Sequence, residues 1–534
     1  MRKQTKIAAV VSAAALLALG ASMTSFAASK GTWMMVDGEW YCYDKNGDAY
    51  TNVFCSSNGK EYYVGDDGQL VHSEWVEYDG SYYFVNSSGA KITNDWRLTT
   101  PFDDDSADEE WFYFQSTGKM AHDKKITYKN KTYYFDGEGK MLTGWVTYDK
   151  DGEGNVDEAN NFDKDKTFYC DETGARLEKA WIKTTEPDVE DDNADADDYW
   201  YYFKSSGKAQ TGKATNINGQ TYLFGTDGHM LTGWVGFTGA DANDGKDYKY
   251  MEIGGENSNE QLRYYTDVYF CGDEDDGHAK KNKWFKTWRP SQYDAADEDN
   301  DEYWYSIDKN GKVYIPTTSD AKKAQGVKYK LKDAKLETQD NGNSIVFTKK
   351  NVNSKSYFFN EDGEMLSQFI EVSSSNLGAD SGVKAGMYYF GGDDDGSMKT
   401  GSQSVKDDNG DTYKFFFENK TTGNVKGKGI TGNKSGYLYF KGLLITADDY
   451  KYQLATIPGE DGDEYTFIVN KNGSIQKNCV DYKEDNEVLF TTKGLSKDIF
   501  ETAKEKEAYK YSLKVDIDAG ITTPIDIYDV MPQN

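Results

Sequence analysis

Residues 111–146 read WFYFQSTGKMAHDKKITYKNKTYYFDGEGKMLTGWV, and 89 positions further on residues 200–235 read WYYFKSSGKAQTGKATNINGQTYLFGTDGHMLTGWV. The copies keep their aromatic residues, turn glycines and closing Leu-Thr-Gly-Trp-Val in register. An internal repeat of this kind sets the fold class before any single motif does. Each unit holds an aromatic triplet, a polar turn ending in Gly, a Lys-Met-like pair and often a Trp. Examples are Tyr133-Tyr134-Phe135 before Gly139, Tyr201-Tyr202-Phe203 before Gly207, and Tyr357-Phe358-Phe359 before Gly363. Alternating rings closed by Asp-Gly, Ser-Gly or Asn-Gly are β-hairpin signals, because Gly supplies the positive φ of such turns. Further units centre on Tyr41, Tyr62, Tyr82, Phe168, Tyr222, Tyr269, Trp304, Tyr388, Phe415, Tyr439 and Phe467. One hairpin cannot bury its own apolar face, so neighbours must stack. The expected fold is mostly β: an elongated solenoid of stacked β-hairpin repeats with acidic loop insertions and a small C-terminal cap.

Composition agrees with many thin cores rather than one deep one. Of 534 residues 15% are aromatic, 41 being Tyr, while mean hydropathy is −0.82. The apolar surface is therefore carried by rings that tolerate partial wetting. Ninety-one acidic against 61 basic residues leave a formal charge of −30, which disfavours nucleic acid as a partner. Five cysteines are few and odd in number. Cys42 and Cys55 are the candidate bridge, whereas Cys170 and Cys271 sit in or beside strand triplets and read as small buried apolar residues.

The chain divides by pattern. MRKQTK followed by IAAVVSAAALLALG and Ser25-Phe26-Ala27 reads as a secretory signal over residues 1–27. No later stretch is apolar enough to span a bilayer as a helix, so attachment to a cell surface or wall is expected to be non-covalent. Residues 28–315 form a Trp-containing array, 316–355 a β-rich connector, 356–478 a hairpin array without Trp, and 479–534 a C-terminal cap or small module. Within the last, SKDIFETAKEKEAYK predicts one short helix with Ser496 as N-cap.

The combination Gly-Trp-Val, Trp-Tyr-Tyr-Phe, Gly-Lys-Met and Thr-Gly-Trp resembles the cell-wall-binding repeats of choline-binding and glucan-binding surface proteins, over roughly Gly31 to Gly473. The resemblance implies a hairpin solenoid in which aromatic residues of consecutive hairpins form ligand cages. It leaves the polymer open, choline-substituted (teichoic-acid-like) or glucan.

All twelve Trp lie between Trp33 and Trp304. In the plain step Trp33 and Trp40 are seven apart, and three later steps show the same two-Trp pattern with residues inserted: Trp96/Trp111, Trp181/Trp200 and Trp288/Trp304, separated by 15, 19 and 16. The inserted stretches are acidic: PFDDDSADEE, EPDVEDDNADADD and DAADEDNDE. Paired Trp faces attract sugar C–H surfaces and cations, the latter by about 0.5–2 kcal/mol per contact, and carboxylates beside them favour the cation. These eight Trp are the candidate ligand cages. The competing reading makes the Trp hairpin-stacking core and the acidic loops plain solvated surface.

A second candidate site is YDKDGEGNVDEAN, which sets Asp149, Asp151, Glu153, Gly154, Val156 and Asp157 near the spacing of a calcium loop. Position twelve is Asn160 instead of Glu, and strand patterns flank it. Calcium at Asp149, Asp151, Glu153 and Asp157 is the one metal expectation, and no organic cofactor is expected. FGGDDDGSM and FCGDEDDGHAK read as long hairpin turns. Catalysis finds no support: His72, His122, His229 and His278 follow turn glycines by one or four residues, and no nucleophile elbow, phosphate loop or zinc motif is present. The function implied is that of an exported, non-catalytic wall-binding protein. The alternatives are an adhesive or structural spacer and a wall hydrolase with an unrecognised catalytic region.

Overall fold

The structure is a computed structural model and describes residues 31–149, 155–187, 189, 196–239, 249–254, 262–290, 301–316 and 319–532. The signal-like segment lies outside them. The chain forms two compact units, one reaching to Gln210 and including Asp227–His229, the other comprising Thr211–Thr226 and Met230 onward.

In the first unit the aromatic triplets are the second strands of antiparallel hairpins. Thr32–Val36 pairs with Glu39–Tyr43, Val53–Ser57 with Lys60–Val64, Glu74–Tyr78 with Ser81–Val85, and Asp95–Thr99 with Glu110–Phe114. Lys124–Tyr128 then pairs with Lys131–Phe135, and Ala180–Thr184 with Tyr199–Phe203. Between them Gly144–Tyr148 takes two partners, Val156–Glu158 and Thr167–Cys170. The turn after each triplet is fixed by a carboxylate or amide: Asp136 Oδ1 accepts from Glu138 N and Lys140 N, and Asn86 Oδ1 from Ser88 N and Ala90 N. Part of the acidic excess therefore serves the turns and not a ligand.

Two contacts tie one hairpin to the next. The residue two after the turn Gly donates its N–H to the preceding hairpin: Leu70 to Trp40 O, Met120 to Tyr82 O, Met141 to Trp111 O and Arg176 to Thr132 O, at 2.8–2.9 Å. That same residue's side chain then lies under the turn Gly of the following unit. A Cβ on Gly139 would stand 2.6 Å from Met120 Sδ, and one on Gly174 2.2 Å from Met141 Sδ. Both glycines have φ near +80°, at 80° and 76°. The Lys-Met pair and the turn Gly are thus one device spread over consecutive repeats.

The second unit starts the same way, with Gly212–Ile217 against Gln220–Phe224, Trp234–Thr238 between Lys249–Glu252 and Asp267–Phe270, and Lys283–Thr287 against Tyr303–Ile307. Residues 316–355, expected as a connector, supply the strands Lys323–Lys332, Lys335–Thr338 and Ser344–Val352. With Lys355–Asn360, Phe369–Val372 and Gly386–Tyr389 these make one six-stranded sheet, so the connector is continuous with the hairpins that follow. The unit's largest core runs from Tyr329 through Phe415, Phe440 and Phe467 to Ile527 and Met531.

The helix expected after Ser496 is absent. Lys497–Ile499 and Lys504–Tyr509 are separate 3-10 segments, with Ser496 Oγ accepting from Asp498 N. Tertiary burial overrides propensity: Ile499 and Phe500 pack with Tyr482 and Phe490, while Tyr509 stacks on Tyr465 at 3.8 Å in a different cluster. One continuous helix would not serve both.

No disulfide joins Cys42 and Cys55. Both thiols are fully buried in one cluster with Val64, and the hydrogen bond between them together with burial pushes Cys42 far up. Cys170 and Cys271 are buried, as the strand pattern implied.

The Gly–Met device makes a stability prediction. Gly174→Ala is expected to lower the urea midpoint more than Gly47→Ala, by the equivalent of about 1–3 kcal/mol. Both carry positive φ, but only Gly174 has a Met beneath it, whereas nothing lies within 4 Å of a Cβ on Gly47. Adding Met141→Ala should recover most of the difference; equal midpoints for the two single variants would contradict the lock.

Candidate aromatic cages

Cross-strand register decides which Trp face one another. In the fourth hairpin Trp96 lies opposite Tyr113 and Leu98 opposite Trp111, so all four point to one face. The Trp96 and Trp111 rings meet nearly at right angles, with centroids 6.5 Å apart and planes at 82°. The next hairpin adds Tyr133, 4.9 Å from Trp96. The result is an open corner of three rings. Trp96 is half-buried and packed on Tyr113 and Phe135, whereas Trp111 keeps 40% of its surface exposed. Burial lifts the Glu110 carboxyl, next to Trp111, above its ordinary value, with Lys140 opposing.

The same register recurs. Trp181 and Trp200 meet at 6.3 Å and 86°, with Lys183 opposite Trp200. Trp33 lies opposite Cys42 and Met35 opposite Trp40, and Tyr62 of the next hairpin stands 5.7 Å from Trp33, whose buried indole N–H meets no acceptor among the described residues. In the second unit the pair is Trp284 and Trp304: Trp284 lies opposite Ser306 and Lys286 opposite Trp304, with Tyr357 4.8 Å from Trp284.

Trp288 is thus outside the two-Trp register to which the sequence reading assigned it. It follows the strand Lys283–Thr287, and its carbonyl accepts the indole N–H of Trp234 at 3.0 Å. Thr100 and Thr185 occupy the same place, accepting from Trp75 and Trp145, each at 2.9 Å. Sequence held a usable signal for this: Trp96, Trp181 and Trp284 each precede a strand-ending Thr by three residues, at Thr99, Thr184 and Thr287.

The Trp of the alternate steps, Trp75, Trp145 and Trp234, are structural. Trp234 is 1% exposed and Trp145 9%. At Trp75 the first acidic insertion closes the step, because Phe102 lies 4.3 Å from Tyr82 and 6.3 Å from Trp75. That insertion is anchored at its Pro-Phe start and exposes Asp103 to Asp105 to solvent. Most of the other two insertions, at 188, 190–195 and 291–300, lies outside the described residues.

The calcium candidate is only partly described. Asp149 pairs with Lys166 Nζ at 2.6 Å and Asp157 sits exposed in the short strand Val156–Glu158, while Asp151, Glu153 and Gly154 lie outside the described residues. Among the described residues no group of three or more His, Cys, Asp or Glu is arranged to hold a metal ion. Nor is any described helix long and apolar enough to cross a membrane.

With this geometry established, likeness to known proteins falls where the hairpins are. The choline-binding repeat family matches residues 106–145, the stretch containing Trp111 and Tyr133, and the putative cell wall binding repeat family matches residues 73–91, 195–209 and 350–365. At these four stretches the chain carries repeats of the choline-binding and putative cell wall binding type. Glucosyltransferase-I of Streptococcus downei is 26% identical over 375 residues, covering 68% of this chain and 21% of that protein. Glucosyltransferase-S of Streptococcus mutans serotype c is 27% identical over 202 residues, 38% of this chain and 12% of that one. The chain thus spans about a fifth or less of the length of these curated relatives. Among solved structures, the modular autolysin LytC of Streptococcus pneumoniae aligns at 17% identity and a TM-score of 0.33, over 63% of this chain and 52% of that one.

The two classes of Trp should separate in stability measurements. Trp234→Ala, emptying a buried site and orphaning the Trp288 carbonyl, is expected to cost about 3–5 kcal/mol. Trp111→Ala, at an exposed ring, should cost less than about 1 kcal/mol. Chemical denaturation showing equal losses would place Trp111 in the core class.

Proposed function

We propose that this protein attaches non-covalently to a cell-wall or cell-surface polymer through its two-Trp steps, without catalysing a reaction on it. The observation that carries the reading is the three-ring corner of Trp96, Trp111 and Tyr133: perpendicular indole faces with an open ring on one side. Such a corner suits a compact cation, since an ammonium within about 6 Å of a ring centroid is held by the quadrupole. Carboxylates in the neighbouring insertion raise the local cation concentration further. The preferred ligand class is a quaternary ammonium substituent of a wall polymer. Each cage contributes little alone, and several on one array convert weak contacts into avid polymer binding.

A second reading, glucan, is supported by the glucosyltransferase relatives, whose similarity extends over 68% of this chain in one case. Sugar rings stack on Trp faces and need no carboxylate. The four histidines are spread over separate repeat turns, in keeping with a non-catalytic role, and the repeats together with the signal-like pattern of residues 1–27 support an exported, wall-associated location.

The test is sedimentation of the full chain with purified walls, with choline and soluble glucan as separate competitors. Choline should release the protein and glucan should not. The variant Trp111→Ala, Trp200→Ala, Trp304→Ala should lose at least tenfold in apparent affinity while retaining its circular dichroism spectrum. Unchanged sedimentation of that folded variant would return the rings to a purely structural role and favour a spacer.

A further inference from the structure

The cages are not equal, and the difference lies at the residue opposite the second Trp. In the Trp96/Trp111 corner this is Leu98, an exposed apolar side chain. In the Trp284/Trp304 corner it is Lys286. Its ammonium stands 3.1 Å from Asp394 Oδ1 and 3.9 Å from Glu302 Oε2. The same Asp394 oxygen accepts the Trp304 indole N–H at 3.0 Å. Asp394 belongs to the acidic turn of FGGDDDGSM, whose flanking carboxylates hold it in place. Gln368 Nε2 donates to Asp393 at 2.9 Å, Lys330 lies 3.5 Å from Asp393, and Asp395 pairs with Lys399 and accepts from Ser397 N at 3.2 Å. The turn is therefore fastened on both sides, and its middle carboxylate is delivered to the ring edge of a cage 90 positions earlier in the chain. Its carboxyl is held below the usual range by the Trp304 and Lys286 hydrogen bonds.

We propose that Lys286 is the resident cation of this corner, drawn to its rim by Asp394 and Glu302, and that this trio sets the cage's ligand selectivity. The inference rests on the cationic reading of the cages. A quaternary ammonium ligand must displace the lysine head before it gains the carboxylates, so the corner binds such a ligand more weakly than the Leu98 corner. A neutral sugar gains nothing from the carboxylates and is indifferent to the exchange. The selectivity arises because the resident and incoming groups compete for one anion.

The experiment uses the full chain carrying Trp40→Ala, Trp111→Ala and Trp200→Ala, so that the Trp304 corner dominates, titrated with choline and followed by tryptophan fluorescence. Lys286→Leu is expected to tighten choline about three- to fivefold, and Asp394→Asn to weaken it by a similar factor. The double variant should lie near the parent, and methyl α-glucoside should respond to none of the changes. A choline Kd unmoved by Lys286→Leu, or a glucoside Kd moved as much as that of choline, overturns the proposal. Absence of choline binding in every variant, the unsubstituted chain included, overturns the cationic reading of the cages. In ligand-free protein, acrylamide quenching reports the rim separately. It should rise in Asp394→Ala, which removes both the acceptor and the cover of the Trp304 edge, and unchanged quenching would overturn the placement of Asp394 at that edge.

Discussion

The turn glycines that follow the aromatic triplets recurrently stand on a side chain of the repeat before them. Met120 under Gly139, Met141 under Gly174 and Met365 under Gly396 leave no room for a Cβ, and each glycine also has the positive φ that other residues rarely adopt. The same residue donates its backbone N–H one hairpin further back, as Met365 does to Trp304 O at 2.9 Å. A two-stranded hairpin has too little apolar face to be stable alone. The lock converts such hairpins into successive layers by giving each one a hydrogen bond and a packing contact to its predecessor.

That constraint also builds the cages. Because each layer is set against the last by a fixed contact, the second-strand tyrosine of one hairpin arrives beside the Trp of the preceding one. Tyr62 does so at Trp33, Tyr133 at Trp96 and Tyr357 at Trp284. In the alternate steps the equivalent face is filled from within, by Phe102 at Trp75 and by the buried packing of Trp234 on Phe270, Phe285 and Tyr305. Insertions after a strand-ending Thr place a carbonyl for the Trp indole and, at the first, a ring to cover it. Open and closed steps thus use one scaffold with different occupants.

The hairpins were legible because strand alternation and Gly turns are local signals. The cages were legible only in part. Counting Trp found Trp96/Trp111 and Trp181/Trp200, yet paired Trp288 with Trp304, because sequence distance cannot tell a strand residue from the one that follows the strand. Register is a property of the paired strands and identifies Trp284 directly, whereas the sequence marks it only through the Thr three residues on. The acidic turn at Asp393–Asp395 read only as a long hairpin turn because its partners, Gln368, Lys330 and Trp304, are 25, 63 and 90 positions away. The short helix after Ser496 failed for a related reason: Ile499 and Tyr509 belong to different cores, a fact that local propensity does not contain.

In this account binding capacity follows the number of open corners and not the number of hairpins. Equilibrium dialysis of the intact chain against labelled choline measures that capacity directly. Saturation at no more than about four equivalents per chain, one for each two-Trp step, is the predicted result. A capacity rising toward one per hairpin, or saturation unaffected by removal of Trp111, Trp200 and Trp304, would contradict it.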